Sequence, residues 1–326
     1  MSKHLLEIKN LRTTFSTSNG KVDAIRGVDL HVNENEILGI VGESGSGKSV
    51  TMKSVMGLLP KFAKVNADVL DYKGESLLGK TEKQLQPYRG KEMAMIFQDP
   101  MTALNPLRTI GYHLVEVIRR YRKCGKVEAE KIAIEMLRQV GIPAPESRMK
   151  QYPHEFSGGM RQRVVIAMAL SCEPSLLIAD EPTTALDVTI QAQILDLLKK
   201  LKEDRGMSVA LISHDMGVMA TMCDRIAVMY GGVIVEEGTV DEIFYQPQHP
   251  YTKALLKSIP HTETDKGTRL QAIKGAPPSL HKLPQGCPFS TRCEHACENC
   301  ADVMPDYSIF SDTHRSCCHL FKGKEL

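Results

Sequence analysis

The sequence predicts an α/β fold in which the buried strands of a parallel sheet each end at a polar loop. Three apolar runs support this prediction, at residues 37–41, 174–180 and 208–212. The first precedes a glycine-rich loop and a helical run, the second ends in two carboxylates, and the third is followed by a histidine. Because strand ends in such a sheet deliver side chains to a ligand crevice, we expect these loops to form one site.

Residues 42–49 fit the pattern G-x-x-x-x-G-K-[ST] of a phosphate-binding loop. Glycines let successive backbone N–H groups turn inward onto phosphates, and the helix expected from Val50 adds the positive end of its dipole. Lys48 is expected to reach the β- and γ-phosphate oxygens, and the Ser49 hydroxyl to ligand Mg²⁺. The nucleotide contacts predicted in this loop are Gly42, Ser44, Gly45, Gly47, Lys48, Ser49 and Val50.

Two adjacent carboxylates, Asp180 and Glu181, end the second apolar strand. Asp180 is predicted to hold Mg²⁺, and Glu181 to act as the general base that orients and deprotonates the attacking water. A plain exit from strand to turn is the alternative interpretation. The phosphate loop favours the catalytic one, because Mg²⁺ at phosphates needs a carboxylate partner.

The composition limits which classes of protein the chain can belong to. The chain has 326 residues, of which 42% are apolar, and it is long enough for two domains or for one domain with appendages. A formal net charge of +2 gives no electrostatic footprint for nucleic acid, so no nucleic-acid partner is expected. No signal-peptide pattern is found, and no run approaches about 18 apolar residues, so we expect a soluble cytoplasmic chain.

A serine and two glycines, Ser157, Gly158 and Gly159, precede the apolar helical run 164–170. Here the chain resembles the nucleotide-binding subunits of ABC transporters, whose signature is Leu-Ser-Gly-Gly-Gln; Phe156 and Met160 depart from it at its first and fifth positions. A helix cap is the simpler interpretation of Ser-Gly-Gly, but such an N-terminus also binds anions. The resemblance implies a P-loop NTPase fold and a head-to-tail dimer, in which this segment faces ATP held by the partner.

Four further residues match positions of that family. Gln98 resembles the glutamine that contacts Mg²⁺ or water and couples to the membrane subunits, and Asp187 lies in the sequence Ala-Leu-Asp of the D-loop. His214 resembles the histidine that contacts the γ-phosphate, and Phe15 the aromatic residue that stacks on adenine. The resemblance therefore implies Ser49, Gln98 and Asp180 as Mg²⁺ contacts, and Glu181 with His214 as the catalytic pair.

The order of these motifs predicts four segments. Residues 1–98 form the first part of the ATP-binding core, and 161–245 form its second part. Between them, 99–160 has helical spacing and reads as an inserted α-helical subdomain that ends in the signature. In the family such an insert docks onto the transmembrane partners. Residues 246–326 form a C-terminal extension that contains a cysteine cluster.

Four phrases narrow the resemblance, at residues 99–106, 157–163, 249–252 and 283–289. Together they are similar to the ATP-binding proteins of dipeptide and oligopeptide permeases, over essentially the whole chain. The resemblance implies an ATPase that powers peptide import from the cytoplasmic side of the cell membrane. Its implied partners are a second ABC ATPase subunit in a heterodimer, two transmembrane permease subunits and, indirectly, an extracytoplasmic peptide-binding protein.

Three alternatives stay open at this point. A nickel or other solute importer of the same family would share these motifs. A soluble ABC ATPase of translation or DNA repair would generally carry two fused cassettes or a long coiled-coil insert, which this sequence lacks. A regulatory module with a dead nucleotide site is disfavoured because Lys48, Asp180, Glu181 and His214 are intact.

Six of the nine cysteines lie between Cys287 and Cys318. In a reducing compartment such clustering favours a metal or cluster over disulfides. The resemblance implies that a [4Fe-4S] cluster of structural role is held by Cys287, Cys293, Cys300 and Cys318.

The other two clustered cysteines, Cys297 and Cys317, leave the ligand set open. Residues 297–300 also form a C-x-x-C, so Zn²⁺ with His295, His314 or His319 is an alternative, as are unliganded thiols.

Overall fold

The computed structural model describes residues 4–18, 20–99, 103–184, 186–259 and 273–321, which fall into two compact units. One unit takes Met1–Gly79 and Ile212–Leu326, and the other takes Lys80–Leu211. Within the described ranges, no helix is both long and apolar enough to cross a membrane.

An antiparallel sheet forms the N-terminal part of the first unit. It is built from β1 (His4–Thr17), β2 (Gly20–Asn33), β4 (Ala63–Asn66), β5 (Val69–Tyr72) and β6 (Glu75–Ser76). The strand order is β2-β1-β5-β6, and β4 also pairs with β1. Register shifts interrupt the β1–β2 pairing at several points, which lets two 14-residue strands bend while their apolar side chains stay buried.

A second group of strands in this unit surrounds β3 (Ile37–Val41). It comprises β10 (Arg225–Tyr230), β11 (Val233–Thr239), β12 (Tyr307–Ile309) and β13 (Arg315–Cys317). β10 runs parallel to β3, and β11, β13 and β12 follow outward as antiparallel neighbours. All five residues of β3 are buried, as expected for a strand covered on both faces.

The helices of this unit are α1 (Lys48–Val55), α8 (Met216–Met222), α9 (Val240–Tyr245), α10 (Pro250–Lys257) and α11 (Asn299–Asp302). Short 3₁₀ turns occupy Ser290–Arg292 and His319–Phe321. The methionines of α8 are buried, in agreement with a packing role rather than a binding one.

The C-terminal segment shares the core of this unit instead of forming a separate small domain. Phe289 is 2% exposed and packs against Tyr230 and Tyr251, with ring centroids 5.3 Å apart in both pairs. Cys287 belongs to the same buried cluster as Val41 of β3. The segment therefore takes part of its hydrophobic core from apolar side chains of β3 and β10.

The second unit contains three strands and most of the long helices. Its strands are β7 (Met93–Ile96), β8 (Leu176–Asp180) and β9 (Ser208–Ser213), whose last two residues belong to the first unit. β7 and β8 are parallel, and β9 follows β8. The helices are α2 (Glu82–Leu85), α3 (Ile110–Arg122), α4 (Lys126–Gln139), α5 (Pro145–Arg148), α6 (Gly158–Leu170) and α7 (Val188–Arg205), with a 3₁₀ turn at Pro153–Glu155.

The three predicted strands are confirmed as β3, β8 and β9. The helix after the phosphate loop begins at Lys48, two residues earlier than predicted. Helical spacing around residues 112–120 and 127–140 corresponds to α3 and α4.

Candidate nucleotide site and cysteine cavity

The phosphate loop joins β3 to α1 in the first unit. Gly47 caps α1 with φ at 105°, a left-handed conformation that favours glycine. At Gly42 a Cβ would lie 2.0 Å from the carbonyl oxygen of Met229, so only glycine fits between loop and strand. The loop thus turns tightly enough for the amides at the start of α1 to face an anion.

Lys48 lies at the centre of this loop and is 5% exposed. Its ammonium donates to the carbonyl oxygens of Gly42 at 2.6 Å and of Glu43 at 2.9 Å. The positive charge is therefore held inside the loop, where a phosphate oxygen would meet it.

Two other predicted residues of the first unit lie outside this loop. His214 is exposed, immediately after β9, and the next residue, Asp215, caps α8 through the N–H groups of Gly217 and Val218. Phe15 is half-buried in β1, with its ring centroid 6.2 Å from that of Phe62.

In the second unit, β8 delivers both predicted carboxylates. Asp180 is 2% exposed at the last position of the strand. Glu181 has φ at 47°, a left-handed conformation that costs a residue with a side chain free energy and is often found at functional sites. Its carboxylate accepts from Gln98 Nε2 at 2.8 Å and from Thr184 Oγ1 at 2.9 Å. The structure thus brings Gln98 and Glu181 together, and adds Thr184, which the sequence analysis missed.

The signature segment starts α6. Ser157 is its N-cap, with Oγ accepting from the Met160 N–H at 3.3 Å, and both Ser157 and Gly158 are exposed. A Cβ on Gly159 would lie 2.7 Å from Cγ2 of Ile190 on α7, so this glycine allows the two helices to approach. Phe156, which stands where the signature usually has leucine, is buried at 2% exposure.

Asp187, from the proposed D-loop, caps α7 by accepting from the Ile190 N–H at 2.9 Å. Its neighbour Ala185 lies outside the described residues, as do residues 100–102 of the phrase that begins at Asp99.

A cavity of about 300 Å³ in the first unit is lined by clustered cysteines. The thiols that line it are those of Cys287, Cys293, Cys297, Cys300 and Cys318. His295 and His319 lie on the same wall, and His319 Nε2 is 2.9 Å from the Val303 carbonyl oxygen. Within the ranges that the structure covers, no group of three or more His, Cys, Asp or Glu side chains is arranged to hold a metal ion.

Two residues considered as ligands point elsewhere. Cys317 is 3% exposed, and its thiol donates to the Pro305 carbonyl oxygen at 2.8 Å. His314 is buried, with Nε2 2.9 Å from the Glu236 carboxylate. Neither lines the cavity.

The thiols that line the cavity differ in pKa according to their burial and their neighbours. Burial raises the pKa of Cys287 to about 12, and the neighbouring thiols of Cys318, Cys300 and Cys293 contribute in the same direction. A hydrogen bond from Cys300 lowers the pKa of the exposed Cys297, whose Sγ lies 3.1 Å from that of Cys300. A cation bound in the cavity would reverse the effect of burial, because metals bind the thiolate form.

His249 directs an unused hydrogen-bond donor into this cavity. The Tyr251 N–H donates to Nδ1 of His249 at 3.1 Å, so Nε2 carries the ring proton. Burial lowers the pKa of His249 to about 4, which keeps the ring neutral near pH 7. In the described part of the chain Nε2 has no partner, although the residue is 1% exposed. Because an unmade buried bond costs about 1–3 kcal/mol, the donor indicates an acceptor in the cavity.

A contact between the cysteine segment and the phosphate loop was not predicted from the sequence. Arg292 directly precedes Cys293, and its guanidinium forms two hydrogen bonds with the carboxylate of Glu43. Tyr251, from a phrase used only for the family resemblance, contacts the same loop residue.

Comparison with known families gives two matches on this chain. The model described as ABC transporter covers residues 25–184, and the model described as the C-terminal region of oligopeptide/dipeptide transporters covers residues 235–300. The second match begins within β11 and ends at Cys300, so it includes part of the cysteine cavity.

Curated relatives match over nearly the full length. The chain is 52% identical to the dipeptide transport ATP-binding protein DppD of Bacillus subtilis, across 97% of this chain and 94% of the relative. It is 47% identical to the oligopeptide transport ATP-binding protein OppD of Escherichia coli, across 96% and 92%. Among solved structures, the dimeric ATP-binding cassette MJ0796 bound to ADP and Pi has a TM-score of 0.62 at 30% identity, covering 72% of this chain and 98% of that one.

Proposed function

Because the chain belongs to the family of ATP-binding proteins of dipeptide and oligopeptide ABC transporters, we propose that it is the ATPase subunit that powers peptide import across the cytoplasmic membrane. The peptide part of this proposal is carried by the match at residues 235–300, since the ATP-binding motifs alone are common to many ABC proteins. The alternatives of another solute or a soluble ATPase have no comparable support.

ATP binding would use the phosphate loop as the geometry suggests. Lys48 would turn from the loop carbonyls to the β- and γ-phosphate oxygens, while the amides at the start of α1 hold the phosphates. Ser49, Gln98 and Asp180 would hold Mg²⁺, which compensates the charge of the phosphate oxygens when it is bound. Phe15 would stack on the adenine.

Hydrolysis would be directed by Glu181. Gln98 and Thr184 fix its carboxylate in one orientation, so it is prepared to orient a water and take its proton. His214 would contact the γ-phosphate. Ser157, Gly158 and Gly159 would face ATP on a second ATPase subunit, a role that the exposure of Ser157 and Gly158 at the start of α6 allows.

Coupling to two transmembrane subunits would use the face formed by α3 and α4. A groove of about 740 Å³ there is lined by apolar and charged side chains, among them Tyr112, Val115, Glu116, Arg119 and Ile134. A helix end of a permease subunit fits such a mixed surface. In this proposal the inserted segment 99–160 would contact the membrane partners, and the chain would lie on the cytoplasmic side of the membrane.

The test is co-purification of the tagged chain from its native membrane, followed by peptide-dependent ATP hydrolysis in proteoliposomes. Two permease subunits, a second ATPase and peptide-stimulated hydrolysis are expected. Substitution Glu181→Gln should abolish the stimulation while the complex stays assembled. Association with ribosomes or DNA, or a complex stimulated only by a different solute, would contradict the proposal.

We propose further that Cys287, Cys293, Cys300 and Cys318 hold a [4Fe-4S] cluster. All four line one cavity, and His249 presents a buried N–H group from which a cluster sulfur would accept a hydrogen bond. A zinc site would gather its ligands within about 2.0–2.3 Å of one ion. A cluster spreads its four thiolates around a larger body, which suits a cavity of this size.

The contents of iron, zinc and acid-labile sulfide, measured in the anaerobically purified chain, test this assignment. About four irons and four sulfides per chain are expected, with broad visible absorption that bleaches on reduction. Zinc at one ion per chain without sulfide, or no metal at all, would overturn it. The assignment of the chain as an ABC ATPase does not depend on this result, so this proposal fails separately from the first.

A further inference from the structure

A partly buried ion pair joins the cysteine segment to the phosphate loop. Arg292 Nη1 lies 2.6 Å from Glu43 Oε2, and Nη2 lies 3.2 Å from Oε1, so the pair is bidentate. The Arg292 side chain is 5% exposed and that of Glu43 is 23% exposed. Bidentate pairs shielded from water fix geometry more firmly than surface pairs do.

The position of Arg292 is set by its own segment. Its Nε donates to the Lys274 carbonyl oxygen at 2.9 Å, and Nη2 also donates to the Gly275 carbonyl oxygen at 3.1 Å. Nη1 also donates to the Tyr230 hydroxyl at 3.0 Å. These hydrogen bonds fix the position of the guanidinium beside the loop. A shift of the residues that hold Arg292 would therefore move Glu43 as well.

Glu43 is held at its backbone as well as at its carboxylate. Its N–H donates to the Tyr251 hydroxyl at 2.9 Å, and its carbonyl oxygen accepts from Lys48 Nζ at 2.9 Å. The lysine that would meet phosphate is thus bonded to the residue that Arg292 holds. The Glu43 carboxylate points to Arg292, so we expect it to make no contact with the nucleotide.

The same segment connects Arg292 to the cavity. Arg292 ends the 3₁₀ turn Ser290–Arg292, and the next residue, Cys293, lines the cavity. Phe289, just before the turn, packs on Tyr251, and His249 lies two residues before that tyrosine. The two residues that contact Glu43 therefore lie next to the cavity wall, Arg292 beside Cys293 in sequence and Tyr251 packed on Phe289.

We propose that Arg292 is a positioning residue for ATP binding, which holds the phosphate loop through Glu43 and makes its ATP affinity depend on the cysteine segment. The side chain does not touch nucleotide. Its effect passes from the guanidinium to the Glu43 carboxylate, and from the Glu43 carbonyl group to Lys48.

A double-mutant cycle on the full chain in its complex tests this route. Arg292→Ala is expected to weaken ATP binding, and to raise KM, by about tenfold, with kcat changed less than about twofold, because the loop is misplaced before the chemical step. Arg292→Lys should recover part of the affinity. Glu43→Ala should match Arg292→Ala, and the double variant should be no weaker than either single variant.

The matched control is Glu294→Gln, two residues away in the same segment. Glu294 is 73% exposed and pairs with the 85% exposed Lys274, so ATP affinity should stay unchanged. Additive losses in the double variant would show that Arg292 does not act through Glu43. A lower thermal midpoint for Arg292→Ala and Arg292→Lys with wild-type ATP affinity would leave only a structural role. Either result overturns the proposal.

Discussion

The side-chain amide of Gln98 donates to the carboxylate of Glu181, with 2.8 Å between Nε2 and Oε2. The hydroxyl of Thr184 donates to the same oxygen. Two donors on one oxygen restrain the carboxylate, and the backbone at Glu181 is left-handed, with φ at 47°. A general base needs such a fixed orientation, since proton transfer requires hydrogen-bond distance.

Removing the carboxylate charge should stop hydrolysis without preventing binding. We expect Glu181→Gln to lower kcat by about 10²–10⁴-fold, the usual contribution of a general base, with ATP affinity within about twofold. Single-turnover hydrolysis and nucleotide titration measure the two quantities. Glu203→Gln on the exposed face of α7 is the control and should be neutral. An active Glu181→Gln enzyme would remove Glu181 from the mechanism.

Removing the Thr184 donor should have a smaller effect. Thr184→Val keeps the volume but loses one hydrogen bond to Glu181, worth about 0.5–1.5 kcal/mol. We therefore expect kcat to fall about two- to tenfold with KM unchanged. If steady-state kinetics show KM rising instead, Thr184 acts on binding and not on the base.

The C-terminal segment should contribute strongly to stability through Phe289. This ring is 2% exposed, and truncation of such a side chain costs about 3–5 kcal/mol. We expect Phe289→Ala to lower the thermal midpoint by several degrees. Ile309→Ala in the same segment, at 61% exposure, should change the midpoint little. Equal shifts for the two variants would mean that the segment is not packed on the core.

Acid should weaken the first unit through His31. Burial, followed by the charge of Arg225, lowers the pKa of this histidine to about 4 from its usual 6.5. The unfolded chain binds the proton more readily, so this contribution is complete above about pH 6.5 and is lost as pH falls towards 4. We expect the thermal midpoint to drop less between pH 7 and 5 in His31→Gln than in the unchanged chain. An identical drop would assign the acid sensitivity to other groups.

Cysteine substitutions should separate ligands from packing thiols. Cys287→Ser and Cys318→Ser are expected to lose iron, because both thiols line the cavity. Cys317→Ser should keep it, since that thiol bonds to Pro305. Cys297→Ser and Cys300→Ser decide which member of the close pair is a ligand, and we expect only Cys300→Ser to lose iron. Iron and sulfide analysis under anaerobic conditions gives the result for each variant.

Local patterns predicted the centre of the fold well. The apolar runs that became β3, β8 and β9 lie between clear loop signals, and their side chains are buried. The long β1–β2 hairpin is less regular because its register shifts break the two-residue period on which strand prediction depends. The three-residue strands β12 and β13 are too short to show any period.

The residues of the candidate site likewise differ in whether the sequence predicts them. Lys48, Asp180 and Glu181 are readable because the chemistry needs these residue types next to particular strands. The pairing of Arg292 with Glu43 spans 249 residues of sequence, and neither residue carries a local signal for the other. Ser157 and Asp187 each cap a helix and are also proposed to act at the nucleotide site. Each side chain therefore has a structural role and a proposed functional one.

The strand β13 has a consequence for the behaviour of the chain in solution. It pairs with β11 opposite Glu236 and Glu237, two carboxylates that are almost fully buried. Without the C-terminal segment, β11 would present unpaired backbone groups along an open edge, which is a template for intermolecular strand addition. With the segment in place the edge is β12, a strand of only three residues, too short to recruit another chain. The C-terminal segment therefore covers the edge of β11 and removes this template for strand addition, whatever its cysteines bind.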